Sequence, residues 1–355
     1  MKSKVSRTFQ DSSPSIPVTR WHRHQSTSNR KPHYLKASKM LRFVLRRVAI
    51  GVLLVWIVVT LIFLALHMVP GDPAVLLLSG DSGGSPSPEA IARVREKLGL
   101  NQPLMVQYGQ YLLGLVQFDL GTSFLDDSSV SEYIGNRLPH TLQLVIGAAV
   151  IAAVVGIPLG ALAARKGGIT DSIVSLLTTL GVAVPVFIIG TIMILIFALK
   201  LGWMPAGGHV NFEDNPLENI KRSVMPTIAL SFAFTSVIAR MMRSSVIETM
   251  GQDWVRTARS VGLSRNQVFQ KHVVRNSMNP VVTTFGLEIG SLIGSTVLIE
   301  KVFNWPGLGT LLVDHTLDRD FPMVQGIVIV VSVIFILINI IVDISYAYLD
   351  PRVRQ

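Results

Sequence analysis

Cysteine is absent from the 355 residues, and charged residues are scarce. Without cysteine the chain has no disulfides, no thiolate metal ligands and no cysteine nucleophile. Charged residues make up 15% of the sequence and hydrophobic residues 49%, whereas about 25% of the residues in an ordinary soluble domain are charged. This composition predicts an integral membrane protein.

Sequence motifs for phosphate, dinucleotide and metal binding are also missing. There is no Gly-x-x-x-x-Gly-Lys-[Ser/Thr] loop, no Gly-x-Gly-x-x-Gly, no His-Glu-x-x-His and no histidine cluster with metal-ligand spacing. His22 and His24 lie in a polar tail, where we interpret them as solvated. We therefore expect no catalytic residue, bound cofactor or metal in this chain. Energy for any uphill movement must come from a partner or an ion.

Six apolar segments are long enough to cross about 30 Å of hydrocarbon as helices. They cover 48–69, 141–164, 174–199, 226–242, 283–300 and 325–348. The fourth is the weakest, because Ser231, Thr235 and Ser236 dilute it. The predicted fold is all-α, a polytopic membrane protein with six transmembrane helices. An even number of spans places both termini on the same side.

Lys and Arg are concentrated beside alternate ends of these spans. They lie before the first span, between the second and third, and between the fourth and fifth, where the basic residues are Arg240, Arg243, Arg256, Arg259, Arg265, Lys271 and Arg275. The positive-inside rule places these three regions and both termini in the cytoplasm. Topology thus explains the formal net charge of +10, and we expect no nucleic-acid partner.

The regions outside the spans divide into a tail, a loop and a cytoplasmic segment. Residues 1–40 are rich in Ser, Pro, Arg, Lys and His without apolar periodicity, which predicts a disordered basic cytoplasmic tail. Residues 41–355 form the transmembrane domain. Its external loop, 70–139, is predicted to contain one helix from Ser87 to Gly99 and another over 107–117. The loop is either a lid or docking platform, or it packs on its own spans.

Glycine and proline mark two features inside the spans. Gly286, Gly290 and Gly294 recur every four residues in the fifth span and give a flat face that another helix can approach closely. We predict that another helix packs closely against this face. Pro158 and Pro185 remove backbone hydrogen bonds, so they should kink the second and third spans.

Three polar residues lie within the last two spans. They are Glu288 in the fifth and the i, i+4 pair Asn339 and Asp343 in the sixth. A charge in the membrane costs about 2.5–3.5 kcal/mol on insertion scales, so these groups should face a cavity or another helix. Because Glu288 and Asp343 lie within two turns of the cytoplasmic end, interfacial contacts between helices explain them equally well.

A short basic element lies within the cytoplasmic segment 240–282. Trp254, Ala258 and Val261 share one helix face, while Arg256 and Arg259 project elsewhere. Gly262 can end the helix, and Ser264 with Gln267 forms a capping box that begins another. A basic helix-turn-helix could read DNA, or it could be a solvated loop. The apolar flanks favour an element at a membrane face that binds something docked there.

This element resembles the cytoplasmic-loop motif of the permease subunits of binding-protein-dependent ABC importers. The family's Glu-Ala-Ala, followed after three residues by Gly, is similar to Arg256, Thr257, Ala258 and Gly262. Two departures, Arg and Thr at the first two positions and no proline near 273–275, are typical of the dipeptide/oligopeptide (DppB/OppB-type) branch. Further strings resemble this branch over 41–354, at 70–73, 98–103, 119–121, 201–205, 303–309, 320–322 and 350–354.

The resemblance implies a permease in the plasma membrane of a bacterium. It would pair with a second homologous permease, against which Gly286, Gly290 and Gly294 would pack. Its other partners would be two ABC ATPase subunits that bind ATP and Mg, and an external solute-binding protein. The ATPase-coupling site would comprise Asp253, Trp254, Arg256, Thr257, Ala258, Arg259, Gly262 and Leu263. Di- or oligopeptides are the implied substrates, with nickel, glutathione, haem or oligosaccharide as alternatives. Two other classes stay open: an ion-coupled secondary transporter using Glu288 or Asp343, and a membrane scaffold.

Overall fold

The computed structural model describes residues 33–68, 74–75, 87–97 and 100–349, and these residues are mainly helical. In chain order the helices are α1 (His33–His67), α2 (Pro88–Lys97), α3 (Leu104–Val116), α4 (Val130–Lys166), α5 (Gly168–Ala183), α6 (Val186–Lys200), α7 (Pro216–Met250), α8 (Asp253–Ser260), α9 (Arg265–Val302), α10 (Leu308–Leu317) and α11 (Phe321–Leu349). Helices α4, α6 and α9 each include a π-helical turn. The predicted all-α class is confirmed.

Within the described residues, five helices are long and apolar enough to cross a membrane. They are Val44–Ala65 within α1, then α4, α7 and α9, and finally Phe321–Ile344 within α11. Helices α5 and α6 pass the same test together but meet at a bend of 102°. Counted as one broken span, this pair brings the number to the six that the sequence predicts.

The break between α5 and α6 comes from Pro185. A residue before proline is disfavoured in the helical region, and Val184 accordingly has extended dihedral angles of −83° and 123°. The predicted kink at Pro185 is therefore confirmed. Pro158 behaves differently, because α4 continues through it to Lys166 after a π-helical turn over Ala152–Gly156. At this proline the structure has a widened turn upstream and an unbroken span.

Several element bounds differ from those read off the sequence. The fourth span is the middle of a 35-residue helix, α7, in which Ser231 and Ser236 are buried against protein. Hydropathy underestimates such a helix because its polar side chains do not meet lipid. Helix α4 begins at Val130, so the end of the predicted loop 70–139 belongs to the second span.

The N-terminal region also needs a correction. Helix α1 begins at His33, so 33–40 is helical where the sequence predicted the end of a disordered tail. Residues 1–32 lie outside the described part of the chain. The two helices predicted in the external loop are confirmed as α2 and α3, and the Ser87 hydroxyl accepts a hydrogen bond from the Ala90 amide at 3.2 Å.

Helix α7 lies at the centre of the bundle. Phe234, Ile238 and Met242 are fully or almost fully buried in a core shared with α4 and α9. Close approach of α4 depends on Gly160, where a Cβ would collide with the carbonyl group of Ala239. A second cluster, where α4 and α11 begin, joins α4, α10 and α11. Helix α7 contacts α4, α5, α6 and α9, and so links most of the other spans.

Candidate functional site

The short helix α8 follows directly after α7 and is held to the core by one side chain. Val255 is 1% exposed and packs in the main hydrophobic cluster, with Trp254 and Ala258 partly buried beside it. Val261 is 79% exposed. The predicted apolar face of Trp254, Ala258 and Val261 is therefore wrong at its last position. The helix ends at Ser260, so Val261 caps it and does not continue its face.

Both sides of the turn after α8 have the predicted geometry. Gly262 has φ of 96°, the Leu263 amide donates to the Ala258 carbonyl at 3.3 Å, and the Gly262 amide donates to the Arg259 carbonyl at 3.0 Å. These two bonds form a Schellman motif. Ser264 and Gln267 then form a complete capping box at the start of α9. The predicted helix, turn and helix are confirmed.

The outer surface of α8 is polar and exposed. Asp253 lies in its first turn, where a negative charge suits the positive end of the helix dipole. Arg256, Thr257 and Arg259 are exposed, and Leu263 is 41% exposed. The element therefore combines an apolar inner side fixed to the bundle with a charged outer side that is available to a partner.

A basic pocket adjoins α8. Its cavity has a volume of about 390 Å³, and Arg165, Arg259 and Arg265 line it together with apolar residues, among them Phe269. The Arg165 guanidinium lies 5.0 Å from the centroid of the Phe269 ring, a cation–π contact. Among the described residues no carboxylate forms an ion pair with these three arginines. The pocket is thus suited to a negatively charged group from outside the chain.

A buried hydroxyl cluster joins α7 to α9 close to α8. The Ser277 hydroxyl lies 3.0 Å from that of Thr249, and the Ser245 hydroxyl donates to the Ser277 carbonyl at 2.9 Å. Nearby, Arg243 forms a bidentate ion pair with Asp171 of α5, with 2.6 Å between the second nitrogen and oxygen. Sequence inspection missed these pairs because they join residues 28 or more positions apart. They join α7 to α9 and to α5.

The fifth-span glycines have two different environments. A Cβ at Gly286 would collide with Val342, and one at Gly290 would lie 2.6 Å from the Phe335 ring, both in α11. The close approach predicted by the spacing therefore occurs with a helix of the same chain, where the sequence analysis had expected a second permease. Gly294 has no such neighbour within 4 Å, and for it the permease contact stays a prediction.

The intramembrane polar residues also separate. Asp343 forms an ion pair with Arg47 of α1 at 2.6 Å, while the Asn339 amide donates to the Phe335 carbonyl of its own helix at 2.8 Å. Asp343 therefore makes the interfacial contact between helices that the sequence left as one of two readings. Glu288 accepts a hydrogen bond from Ser291 at 3.3 Å and remains partly exposed on α9.

The end of the bundle opposite α8 contains a buried carboxylate that the sequence analysis did not single out. Glu300 is 0% exposed, and it accepts hydrogen bonds from the Thr141 hydroxyl at 2.7 Å and the Thr310 amide at 2.9 Å. A Cβ at Gly307 would collide with this carboxylate, which explains a glycine there. The signal was present in the string 303–309, because a glycine-rich turn directly after an acidic residue lets backbone amides reach it.

Aromatic and histidine rings lie next to the buried Glu300 site. Trp305 is buried and donates from its indole to the His140 carbonyl at 3.1 Å. The His209 ring lies 4.1 Å from that of His140 and 4.7 Å from that of Trp305. Burial, and secondly the charges near it, lower the pKa of His209 from 6.5 to about 4. This imidazole is therefore neutral at ordinary pH.

A second group of buried polar contacts, centred on Asp320, fixes the loop that precedes α4. Asp320 is 0% exposed and accepts from the Ser123 hydroxyl at 2.6 Å and the Phe124 amide at 3.1 Å, with His315 at 3.0 Å. The Asp126 carboxylate accepts a bond from Tyr133 at 2.6 Å, and this bond is the main cause that lowers the pKa of Asp126 to about 2. The contacts of Ser123 and Phe124 with Asp320 hold the loop between α3 and α4 against the start of α11.

Comparison with known families assigns this arrangement to a class. The family described as "Binding-protein-dependent transport system inner membrane component" matches residues 156–355, and the corresponding N-terminal family matches 40–145. The chain belongs to the binding-protein-dependent transport system inner membrane component family. It is a multi-pass permease subunit of an ABC importer, and the resemblance based on Arg256, Thr257, Ala258 and Gly262 is confirmed.

Relatives and solved structures agree with this class. A protein of Brucella abortus (strain 2308), named as a peptide transport system permease, is 42% identical over 316 residues, 89% of this chain and 99% of its own. The glutathione transport system permease protein GsiC of Salmonella choleraesuis (strain SC-B67) is 40% identical over the same shares. The inward-facing MetNI methionine ABC transporter matches with a TM-score of 0.50 at 17% identity, over 61% of this chain and 96% of that one. This last likeness supports the fold.

Proposed function

We propose that this permease couples ATP hydrolysis on partner subunits to the import of di- or oligopeptides. The observation that carries the proposal is the construction of α8. Val255 is sealed in the core, both ends of the following turn are capped, and Arg256, Thr257 and Arg259 face outward. Such a helix moves as a rigid unit, so a displacement of its outer side by a partner is transmitted to α7 and α9.

Two ATPase subunits are the proposed source of that displacement. They bind ATP and Mg and carry out hydrolysis, so this chain contributes docking surface and no catalytic group. The basic pocket of Arg165, Arg259 and Arg265 fits carboxylates on the ATPase side, and guanidinium groups pair with carboxylates bidentately. Each nucleotide state then favours a different arrangement of the spans, which is the requirement for coupling.

The translocation path is proposed to run along one face of α9. Thr284, Glu288, Ser291 and Ser295 lie on that face, and their side chains form hydrogen bonds within their own helix. Lipid tails cannot form hydrogen bonds with these half-exposed polar side chains. A polar path or a second homologous permease should therefore cover this stripe of four residues. Gly294 adjoins the stripe and would allow the partner to approach closely.

Orientation and partners complete the proposal. The basic loops, α8 and both termini face the cytoplasm, and the ordered external surface around Trp305 and Asp320 receives a solute-binding protein that delivers substrate. The names of the two relatives favour a peptide: one is a peptide permease and the other transports glutathione, itself a tripeptide. Nickel, haem and oligosaccharide are the other candidates. The ligand retained by the co-purified binding protein distinguishes among them.

Substitution of Gly262 tests whether α8 transmits movement from the ATPase to the spans. Gly262→Val forces a β-branched residue to φ of 96°, which costs about 1–2 kcal/mol or more, although a Cβ would meet no neighbour within 4 Å. In reconstituted complex we expect ATP hydrolysis to continue while peptide uptake falls. Gly262→Asn is the matched control, because asparagine enters the left-handed region readily. Full peptide uptake by the Gly262→Val variant would refute this coupling role of α8.

Inactivation of the partner ATPase distinguishes this proposal from ion-coupled transport through Glu288. A complex that imports only while it hydrolyses ATP is an ABC importer, whereas uptake that persists with an inactive ATPase and follows an ion gradient is secondary transport.

A labelled Arg256→Cys variant tests orientation, since it should react from the cytoplasmic side. Reaction only from outside would overturn both the topology and the coupling role of α8.

A further inference from the structure

Helix α3 of the external loop has an apolar face that no part of the described chain covers. The segment 104–118 contains no charged residue. Met105 is 79% exposed, Leu113 63% and Val116 78%. Residues 105 and 116 are three turns apart on one side of the helix, and Leu113 lies next to them. A face this apolar is unusual for a helix that stands in water.

The opposite face of α3 is fixed to α1. The Tyr108 hydroxyl lies 2.7 Å from the Thr60 hydroxyl, and the Phe63 ring lies 5.2 Å from that of Tyr108 and 5.6 Å from that of Tyr111. Gln107 contacts His67 at 3.3 Å. The helix is therefore anchored by two tyrosines against the outer end of the first span.

These contacts determine the depth of α3. Thr60 lies five residues inside Ala65, where the apolar span ends, which corresponds to about 7.5 Å at 1.5 Å per residue. His67 lies two residues beyond that end. Helix α3 thus crosses α1 at the boundary between hydrocarbon and headgroups. Helices that lie in this boundary bury their apolar face about 5–10 Å deep.

We propose that α3 is an interfacial helix whose free face, formed by Met105, Leu113 and Val116, lies in the outer leaflet of the membrane. The face continues the exposed apolar surface of α1, where Leu61 is 59% exposed and Met68 81%. Lipid that surrounds α1 must also meet a helix held against it. Tyr108 and Tyr111 occupy the depth at which tyrosine is enriched in membrane proteins.

A docked protein fits this face less well. Transient protein interfaces carry a polar rim and about one hydrogen bond per 100–200 Å², whereas this face offers side chains without donors or acceptors. Gln110 and Gln117 are exposed next to each other around α3, about 100–140° from Met105 and Val116. The helix therefore has the two-sided character of an interfacial helix, with a glutamine side toward water. This inference does not depend on the proposed transport function.

The natural absence of cysteine allows a direct test in the full chain. Single variants Met105→Cys, Leu113→Cys and Val116→Cys carry a nitroxide label, with Gln110→Cys as the matched control on the same helix. Each is reconstituted in vesicles of phosphatidylcholine and phosphatidylglycerol, and the label's collisions with oxygen and with a water-soluble nickel chelate are measured. We expect the three apolar positions to favour oxygen over the chelate several-fold more than position 110.

Two results would overturn the proposal. High chelate accessibility at 105, 113 and 116 would place the face in water. Exclusion of both colliders from these positions would mean that a protein surface covers it. Because three separate positions are measured, misfolding of one variant leaves two readings, and size-exclusion chromatography of each variant identifies any that has misfolded.

Discussion

At the scale of single residues, partial burial favours the neutral form of one histidine, His209. His209 is packed between His140 and Trp305, and burial is the main cause that lowers its pKa to about 4. The sequence showed a histidine in a polar loop and gave no reason to single it out. Its environment is made by residues about 70 and 100 positions away, so only the folded chain reveals it.

This lowered pKa predicts a loss of stability in acid. Below pH 6.5 the unfolded chain takes up a proton at His209 while the folded chain does not until about pH 4. The contribution of neutral His209 is therefore present above pH 6.5 and lost as the pH falls to about 4. Thermal unfolding of the purified permease between pH 4 and pH 7.5 measures it.

The informative quantity is the difference between variants, because other groups titrate in the same window. His209→Gln should flatten the pH dependence relative to the wild type. His272→Gln, at an exposed histidine of α9, serves as the control and should follow the wild type. Identical curves for the wild type and His209→Gln would show that this ring carries none of the effect.

At the scale of secondary-structure elements, α8 shows how a short helix is positioned. Eight residues are too few to be stable alone, so α8 depends on its caps and on Val255. The caps were predictable, since Gly262, Ser264 and Gln267 act within a few residues of one another. The buried side chain was not, because periodicity assigned Val261 to the apolar face and only the bundle decides which valine it accepts.

Paired substitutions distinguish these two valines. Val255→Asp would place an unpaired carboxylate where 1% of the side chain is exposed, and burial of a charge costs several kcal/mol. We expect α8 to detach from the isolated permease, with a lower unfolding temperature and new protease cleavage between 251 and 264. Val261→Asp, at a position 79% exposed, should change stability by less than about 0.5 kcal/mol.

The isolated permease is the right sample for this comparison, because Val261 is free to contact an ATPase and its substitution could weaken that docking. Equal destabilisation by the two changes would contradict the assignment of Val255 as the anchor. A loss of ATPase binding by Val261→Asp with unchanged stability would instead support a docking role for the turn.

At the scale of the whole molecule, hydrogen-bonded clusters of buried polar groups hold the spans together at both ends of the bundle. Glu300 joins α9 to α4 and α10 at the end opposite α8, and Ser245, Ser277 and Thr249 join α7 to α9 at the end next to α8. Apolar packing in a membrane lacks the usual hydrophobic driving force, so hydrogen bonds and close packing matter more. These buried contacts therefore favour a rigid bundle.

Removal of the Glu300 carboxylate should weaken that rigidity. Glu300→Ala leaves the Thr141 hydroxyl and the Thr310 amide without their acceptor, at about 1–3 kcal/mol for each buried group. Glu300→Gln keeps a carbonyl oxygen and should lose less. Thermal unfolding of the purified chain gives the comparison, with Glu288→Gln, on the partly exposed face of α9, as a near-neutral control. A neutral Glu300→Ala would contradict the role of this carboxylate.

The sequence alone determined the membrane class, the six apolar segments, the break at Pro185, the capped turn at Gly262 and the family. The family follows from the resemblance of its motifs to known permeases, and the others follow from composition or from residues close together in the chain. The tertiary structure decided which valine anchors α8, that Gly286 and Gly290 pack against α11 of the same chain, and how Glu300 and His209 are buried. These depend on contacts between distant segments, whose partners are chosen by the packing of the bundle and leave no local pattern in the sequence.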